Sequence, residues 1–236
     1  MAPRYGIIVF PGTWSEVDWR DALAGVMGVD AEYIFHKETS VAGFDCLIVP
    51  GGFSYGDYLR PGAIARFSPV MPAVVEFANS GGPVLGSCNG FQALCEAGLL
   101  PGALMRNASL EFRCRPQHLR VERAAAPFTS LARTGDVLSI PISHGDGNYY
   151  VDDAALERME ANGQIAFRYC DANGAVTPEA NPNGSRANIA GVTNEAGNVL
   201  GLMPHPERVV ELALGGTDGL TLLRSLDEAL HERAGV

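Results

Sequence analysis

Pro83-Val84-Leu85-Gly86-Ser87-Cys88-Asn89-Gly90-Phe91-Gln92 is an apolar strand that runs through Gly-x-Cys-x-Gly into a helix continued by Ala93, Leu94 and Leu99. The pattern is the cysteine counterpart of a nucleophile elbow. Glycines two residues to either side leave room for a sharp turn that a side chain would obstruct. Such a turn lifts Cys88 above a sheet and sets it at the N-terminus of the next helix, where the dipole and free N–H groups favour a thiolate. The Asn89 N–H can then face a developing oxyanion. Taken alone, the stretch also fits a plain strand-turn-helix junction with a buried cysteine.

Around this stretch, strand and helix signals alternate. Residues 5–10, 31–35 and 46–49 read as short strands and 83–85 as a buried one. Residues 14–27, with Ser15 as N-cap, and 71–79 read as helices. Near-continuous apolar runs separated by helices indicate an α/β fold, a central, mostly parallel sheet flanked by helices. The second half is less regular. Strands are expected at 118–121, 137–142 and 165–170, a helix at 154–162, and two strands at 188–193 and 198–203 around the turn Asn194-Glu195-Ala196-Gly197. Those last two imply antiparallel pairing. Residues 217–233 close the chain as an amphipathic helix with Leu220, Leu223, Leu226 and Leu230 on its apolar side. No linker is visible, so residues 1–236 are expected to form one domain.

The chain has 236 residues and a formal charge of −10, from 17 basic and 27 acidic side chains. Its composition, 47% apolar and 19% charged, is that of a folded, soluble protein. No apolar run approaches the roughly 20 residues of a membrane span, and the negative surface argues against nucleic acid or anionic membrane as partner. Lys37 is the only lysine and follows no glycine-rich loop, which excludes a P-loop. The five cysteines, Cys46, Cys88, Cys95, Cys114 and Cys170, are scattered and odd in number. Free thiols in a reducing cytosol are expected. Cys114 and His118 form a Cys-x-x-x-His pair without a second pair at zinc spacing, so no metal is expected. Cys46 and Cys95 read as packing residues.

A nucleophilic thiol needs a base. His36 and His231 stand in polar contexts read as surface. His205 lies in Leu202-Met203-Pro204-His205-Pro206-Glu207-Arg208, directly after an expected strand. Flanking prolines bias this segment towards extended backbone, where residues i and i+2 point the same way. Glu207 could then accept the second N–H of His205 and fix its tautomer.

Gly86-Ser87-Cys88-Asn89-Gly90 and Pro204-His205-Pro206-Glu207 together resemble the class I (triad) glutamine amidotransferases. Val49-Pro50-Gly51-Gly52-Phe53-Ser54-Tyr55-Gly56-Asp57, Asn107-Ala108-Ser109-Leu110-Glu111-Phe112-Arg113-Cys114-Arg115 and Ile142-Ser143-His144-Gly145-Asp146-Gly147 extend the likeness through Arg208. Ser87 departs from the aliphatic residue expected there. The resemblance implies a flavodoxin-like fold in which Cys88 attacks the side-chain amide of glutamine, His205 moves protons and Glu207 orients it. It further implies an oxyanion hole from the backbone N–H groups of Gly52 and Asn89. Gln92, Ser143, His144 and Gly145 would hold the amino-acid end of the substrate, although His144 could equally serve to order its glycine-rich loop. The expected form is a free-standing glutaminase subunit with no cofactor of its own. It would feed ammonia to a large synthetase subunit that uses ATP and magnesium, alongside a third small subunit. Another cysteine-elbow α/β protein, or a catalytically silent scaffold of this family, are the alternatives.

Overall fold

Strand β1 (Arg4–Val9) lies at the heart of the N-terminal half, paired in parallel with β2 (Asp30–Phe35) on one side and β3 (Cys46–Val49) on the other. The computed structural model describes residues 2–235, so Met1 and Val236, the two ends of the expected domain, lie outside the described residues. Between β1 and β2 runs α1 (Glu16–Arg20), which widens into a π-helical turn over Asp21–Met27 and stops at Gly28 in the left-handed region. One regular helix was expected here. Ser15 also makes no side-chain cap bond, because its hydroxyl oxygen accepts the Gly51 N–H at 2.8 Å instead.

Helix α2 (Met71–Asn79) leads to β4 (Val84–Ser87), which pairs in parallel with β3 and is followed by α3 (Asn89–Glu96). All side chains of β3 and β4 are buried, as expected for strands covered on both faces. The second half supplies β5 (Ala103–Met105), β6 (Arg113–Val121), β7 (Val137–His144) and β8 (Asn148–Tyr150). Helix α4 (Asp153–Ala161), β9 (Ile165–Cys170), β10 (Ile189–Thr193), β11 (Val199–Leu202) and α5 (Gly219–Ala234) complete it. The main sheet runs β2-β1-β3-β4-β11-β10-β9-β6-β7. Pairing is parallel from β2 to β11 and antiparallel from there to β7. The mixed sheet therefore matches the expected class, and its order of the first five strands is the doubly wound 2-1-3-4-5 arrangement.

Two elements were not expected. Strands β5 and β8 form a separate two-stranded sheet, each too short to show a period. Strand β6 begins at Arg113, well before residue 118, because pairing with β7 holds a stretch whose side chains are largely polar and exposed.

Apolar side chains fill both faces of the sheet. Tyr5, Ile7, Trp19, Ile48, Leu85, Leu222 and Leu226 belong to one cluster, and Ile8, Leu47, Val49, Val74, Phe91 and Leu94 to the other. Full burial of each such side chain contributes about 1.5–3 kcal/mol, so a strand as short as β3 is held firmly. One backbone contact sets how closely α3 approaches the sheet. A Cβ on Gly90 would overlap the Val49 carbonyl, whereas one on Gly25 would meet nothing within 4 Å. Gly90→Ala is expected to destabilise the protein by about 3 kcal/mol or more, and Gly25→Ala by no more than about 0.5 kcal/mol in either direction. Chemical denaturation of the two variants measures the contrast.

Candidate active site

Cys88 alone makes the turn between β4 and α3, at φ 52° and ψ −110°. A non-glycine residue in that region costs about 1–3 kcal/mol, and the surrounding packing enforces it. A Cβ on Gly86 would lie 2.8 Å from the Gly90 carbonyl carbon, so both glycines of the motif are required by close backbone approach. The Asn89 N–H, one of the donors that a helix N-terminus leaves free, starts α3 directly beside the thiol.

His205 follows the end of β11, whose last residue Leu202 pairs with Ser87, the residue before Cys88. Its backbone N–H donates to the Pro141 carbonyl at 2.8 Å. Its Nδ1 meets Glu207 Oε1 at 2.7 Å, with both residues buried. Pro206–Arg208 is a 3-10 turn rather than the extended segment the prolines led us to expect. The turn, not strand alternation, brings Glu207 back to the imidazole. Both catalytic candidates converge over Gly51, where an added Cβ would lie 2.7 Å from His205 Cε1 and 3.2 Å from Cys88 Cβ. The thiol is turned towards the Ser143 carbonyl at 3.6 Å, while His205 Nε2 has no hydrogen-bond partner among the described residues. Burial disfavours the imidazolium, but the Glu207 carboxylate and the Cys88 sulfur outweigh it and raise the His205 pKa above the ordinary imidazole range.

Gly51 and Gly52 form the facing wall. The N–H groups of Trp14 and Ser15 both donate to the Gly51 carbonyl, at 3.0 and 3.1 Å. Gly52 has φ 148°, and a Cβ there would lie 2.6 Å from both the Gly12 oxygen and the Trp14 nitrogen. Its own N–H makes no hydrogen bond among the described residues. A free donor is thus available next to the glycine that touches Cys88.

Beyond Gly52, Tyr55, Gly56, Asp57 and Leu59 all have positive φ. Side chains hold this strained run in place. Asn89 Oδ1 accepts the Ser54 N–H at 3.0 Å, and Asn89 Nδ2 donates to Asp57 Oδ1 at 3.1 Å and Gln92 Oε1 at 2.8 Å. The Tyr55 hydroxyl bonds His36 Nδ1 at 2.9 Å and Ser68 at 2.8 Å. His36, read as a surface residue, is therefore buried, because the strained loop folds over it. His231 is half-exposed near Asp227. Burial, offset in part by the Asn89 bond and reinforced by Asp146, pushes Asp57 up to about 6.

Gln92 Nε2 donates to the Asp146 carbonyl at 2.7 Å, joining α3 to the loop that follows β7. Asn107 and Asn183 clamp that loop. The Asn107 backbone N–H donates to the Gly145 carbonyl at 2.8 Å, its amide to the His144 carbonyl at 2.9 Å, and its Oδ1 accepts from Gly147 at 2.9 Å. Asn183 Nδ2 meets His144 Nε2 at 3.0 Å and the Gly147 carbonyl at 2.8 Å. Burial, with His205 nearby, pushes His144 down to about 3, so its ring is neutral and bonded to the loop's own clamp. That placement fits the loop-ordering alternative. Cys114 and His118, four residues apart on β6, are about 13 Å from each other along a strand. Among the described residues no three metal-ligating side chains gather.

A family model described as a CobB/CobQ-like glutamine amidotransferase domain matches residues 2–215. The chain belongs to this glutamine amidotransferase family. Curated relatives cover nearly the whole amidotransferase. The phosphoribosylformylglycinamidine synthase subunit PurQ of Moorella thermoacetica is 62% identical over 223 residues, 94% of each chain. That of Salinibacter ruber is 58% identical over 226 residues, 96% of each. Among solved structures, a chain from the structure of PurLQS from Thermotoga maritima superposes with a TM-score of 0.86 at 40% identity, covering 98% of this chain and all of that one. A glutamine amidotransferase from Thermotoga maritima shares the fold at TM-score 0.57 and 16% identity, over 99% of this chain and 93% of that one.

Cys88, His205, Glu207, Gly52, Asn89, Gln92 and the 143–145 segment thus lie in one connected neighbourhood of contacts around the Cys88 thiol. Several of its supports were not singled out from the sequence. Asn183 sits in Asn-Pro-Asn-Gly and looks like an ordinary turn. Ser15 looked like a helix cap, and Asp57 stood only within a quoted motif.

Asp57 gives a pH test. Its folded-state pKa lies above its unfolded value, so its contribution to stability is fully present below about pH 3.9 and is lost as pH rises through about 6. Asp57→Asn, which cannot ionise, is expected to raise Tm at pH 7.5 and to give no gain at pH 4. Thermal melts at the two pH values decide it.

Proposed function

We propose that this amidotransferase is the glutaminase subunit of phosphoribosylformylglycinamidine synthase in purine biosynthesis, with residues 1–236 working as one domain. The observation that carries the reading is the convergence of Cys88 on its strained elbow with the buried His205–Glu207 pair. It occurs in a chain more than half identical, almost end to end, to proteins bearing that subunit name.

The chemistry follows from the positions. A proton passes from Cys88 Sγ to His205 Nε2 as sulfur attacks the side-chain amide carbon of glutamine. The resulting oxyanion takes hydrogen bonds from Gly52 and Asn89, each worth about 3 kcal/mol in such sites. His205 then donates its proton to the amide nitrogen, the C–N bond breaks, and ammonia leaves a thioester on Cys88. Water, deprotonated by His205, attacks the thioester and releases glutamate and the thiol. Glu207 holds Nδ1–H throughout and stabilises each imidazolium. Gln92 and the 143–145 loop form the wall for the amino-acid end of glutamine, with His144 keeping that loop in shape.

Ammonia acts as a nucleophile only while unprotonated, so the product needs a dry route to its acceptor. That requirement, with the PurLQS likeness, supports docking on a large synthetase subunit that binds ATP and magnesium, with a third small subunit alongside. Among the described residues no helix is long and apolar enough to cross a membrane.

Assembled with its synthetase, Cys88→Ala is expected to lower glutamine-dependent synthesis at least ~1000-fold and to leave ammonia-dependent synthesis within about twofold of the parent. Equal loss with both nitrogen sources, or no loss with glutamine, would overturn the assignment.

A further inference from the structure

Behind the nucleophile runs a buried chain of hydrogen bonds that the chemistry above does not use. The indole Nε1–H of Trp19 donates to Ser87 Oγ at 3.0 Å. The Ser87 hydroxyl donates to Glu207 Oε1 at 3.5 Å, the same oxygen that faces His205 Nδ1 at 2.7 Å. Trp19 and Ser87 are wholly buried, and Glu207 and His205 nearly so. The direction of the chain is forced. An indole N–H can only donate, so the Ser87 oxygen is the acceptor and its own proton is left for the carboxylate. Glu207 Oε2 has no partner among the described residues, so both bonds the carboxylate receives fall on Oε1. The three contributors come from α1, from the last residue of β4 and from the turn after β11.

We infer that Ser87, oriented by Trp19, is a positioning residue that fixes the Glu207 carboxylate and tempers its pull on the His205 proton. The inference rests on the roles given above to Cys88, His205 and Glu207. With Nδ1 as sole partner, the carboxylate is free to turn about its last torsion; a second donor on the same oxygen restrains it. The same donor stabilises the negative charge, so the carboxylate draws less strongly on the imidazole proton. Its 3.5 Å length makes the contact a modulator rather than the main support.

Other charged and titratable groups around the pair do not take over this role. Cys88 faces His205 from the elbow, and His144 faces it from β7, kept neutral by burial. Arg208 is engaged by Asp18 of α1 at 2.8 Å. Helix α5 meets the turn at Gly219, against the Pro206 carbonyl, and the neighbouring Asp218 carboxylate accepts the Ser139 N–H at 2.7 Å.

Removing the hydroxyl removes a donor from Glu207, so the imidazolium becomes harder to deprotonate. In Ser87→Ala, histidine 15N NMR of the full chain should show His205 titrating about half a pH unit higher. The complex with the synthetase should lose about 3- to 10-fold in kcat for glutamine hydrolysis, with KM within about twofold. Trp19→Phe keeps an aromatic side chain and drops the N–H; it should reproduce the same direction. The double variant should match the stronger single variant, since both act through one contact. A folded Ser87→Ala protein with an unmoved His205 titration and unchanged kcat would overturn the inference, as would strictly additive effects. If Ser87→Ala does not fold, an unmoved titration in Trp19→Phe overturns it equally. The underlying roles fail separately, by glutamine hydrolysis that survives Cys88→Ala.

Discussion

The carbonyl of Val49 leaves room for nothing larger than hydrogen on Gly90, and the site depends on that contact. It brings the first turn of α3 down onto the end of β3. The peptide that follows Val49-Pro50, Gly51-Gly52, then lies directly across from the thiol. If α3 stood off by the width of a methyl group, the Asn89 and Gly52 N–H groups would separate and the wall behind Cys88 would open. The close approach in turn depends on Gly86, which lets the strand pass under Gly90, and on Ser15 and Trp14, which pin both sides of the Gly51 peptide. Close backbone approach, pinned by the Ser15 hydroxyl, therefore sets where the thiol and the Gly51-Gly52 peptide face each other.

A charged pair buried to this depth stabilises a fold only weakly, since desolvation can exceed the mutual attraction. His205 and Glu207 are kept together by a tight turn, by Pro141 and by the indole–hydroxyl contact rather than by strength of attraction alone. The loop on the other side of Asn89 shows a similar tension. Residues 54–59 adopt left-handed backbone repeatedly, and Asp57 is half-buried beside another carboxylate. Stability is given up there, and Asn89, His36 and Ser68 keep the loop from relaxing.

The parallel half of the sheet was legible because its inner strands are largely apolar and their ends carry Pro-Gly or Gly-x-Cys-x-Gly. The elbow and the His-Pro-Glu segment were legible for the same reason: their chemistry is local in sequence. What was hidden is mostly non-local. The length of β6 comes from its partner β7, not from its own polar residues. His36 carries no mark of burial, since the loop that covers it arrives from residue 55. The π-helical turn after Arg20 replaces an α-helix whose spacing looked ordinary. Glu207 was assigned its partner correctly but through the wrong local geometry, because prolines on both sides of a histidine permit a 3-10 turn as readily as a strand. Ser87 looked like a neutral departure from pattern until Trp19, from a distant helix, was found against it.

The order of strands also has a meaning in time. The nucleophile sits at position 88, but its base follows β11, which inserts beside β4 only after about five-sixths of the chain has left the ribosome. Until then the growing polypeptide carries a cysteine without histidine or carboxylate, at the exposed edge of an unfinished sheet. The thiol and its base therefore meet only once β11, the strand that joins the parallel and antiparallel halves of the sheet, is in place.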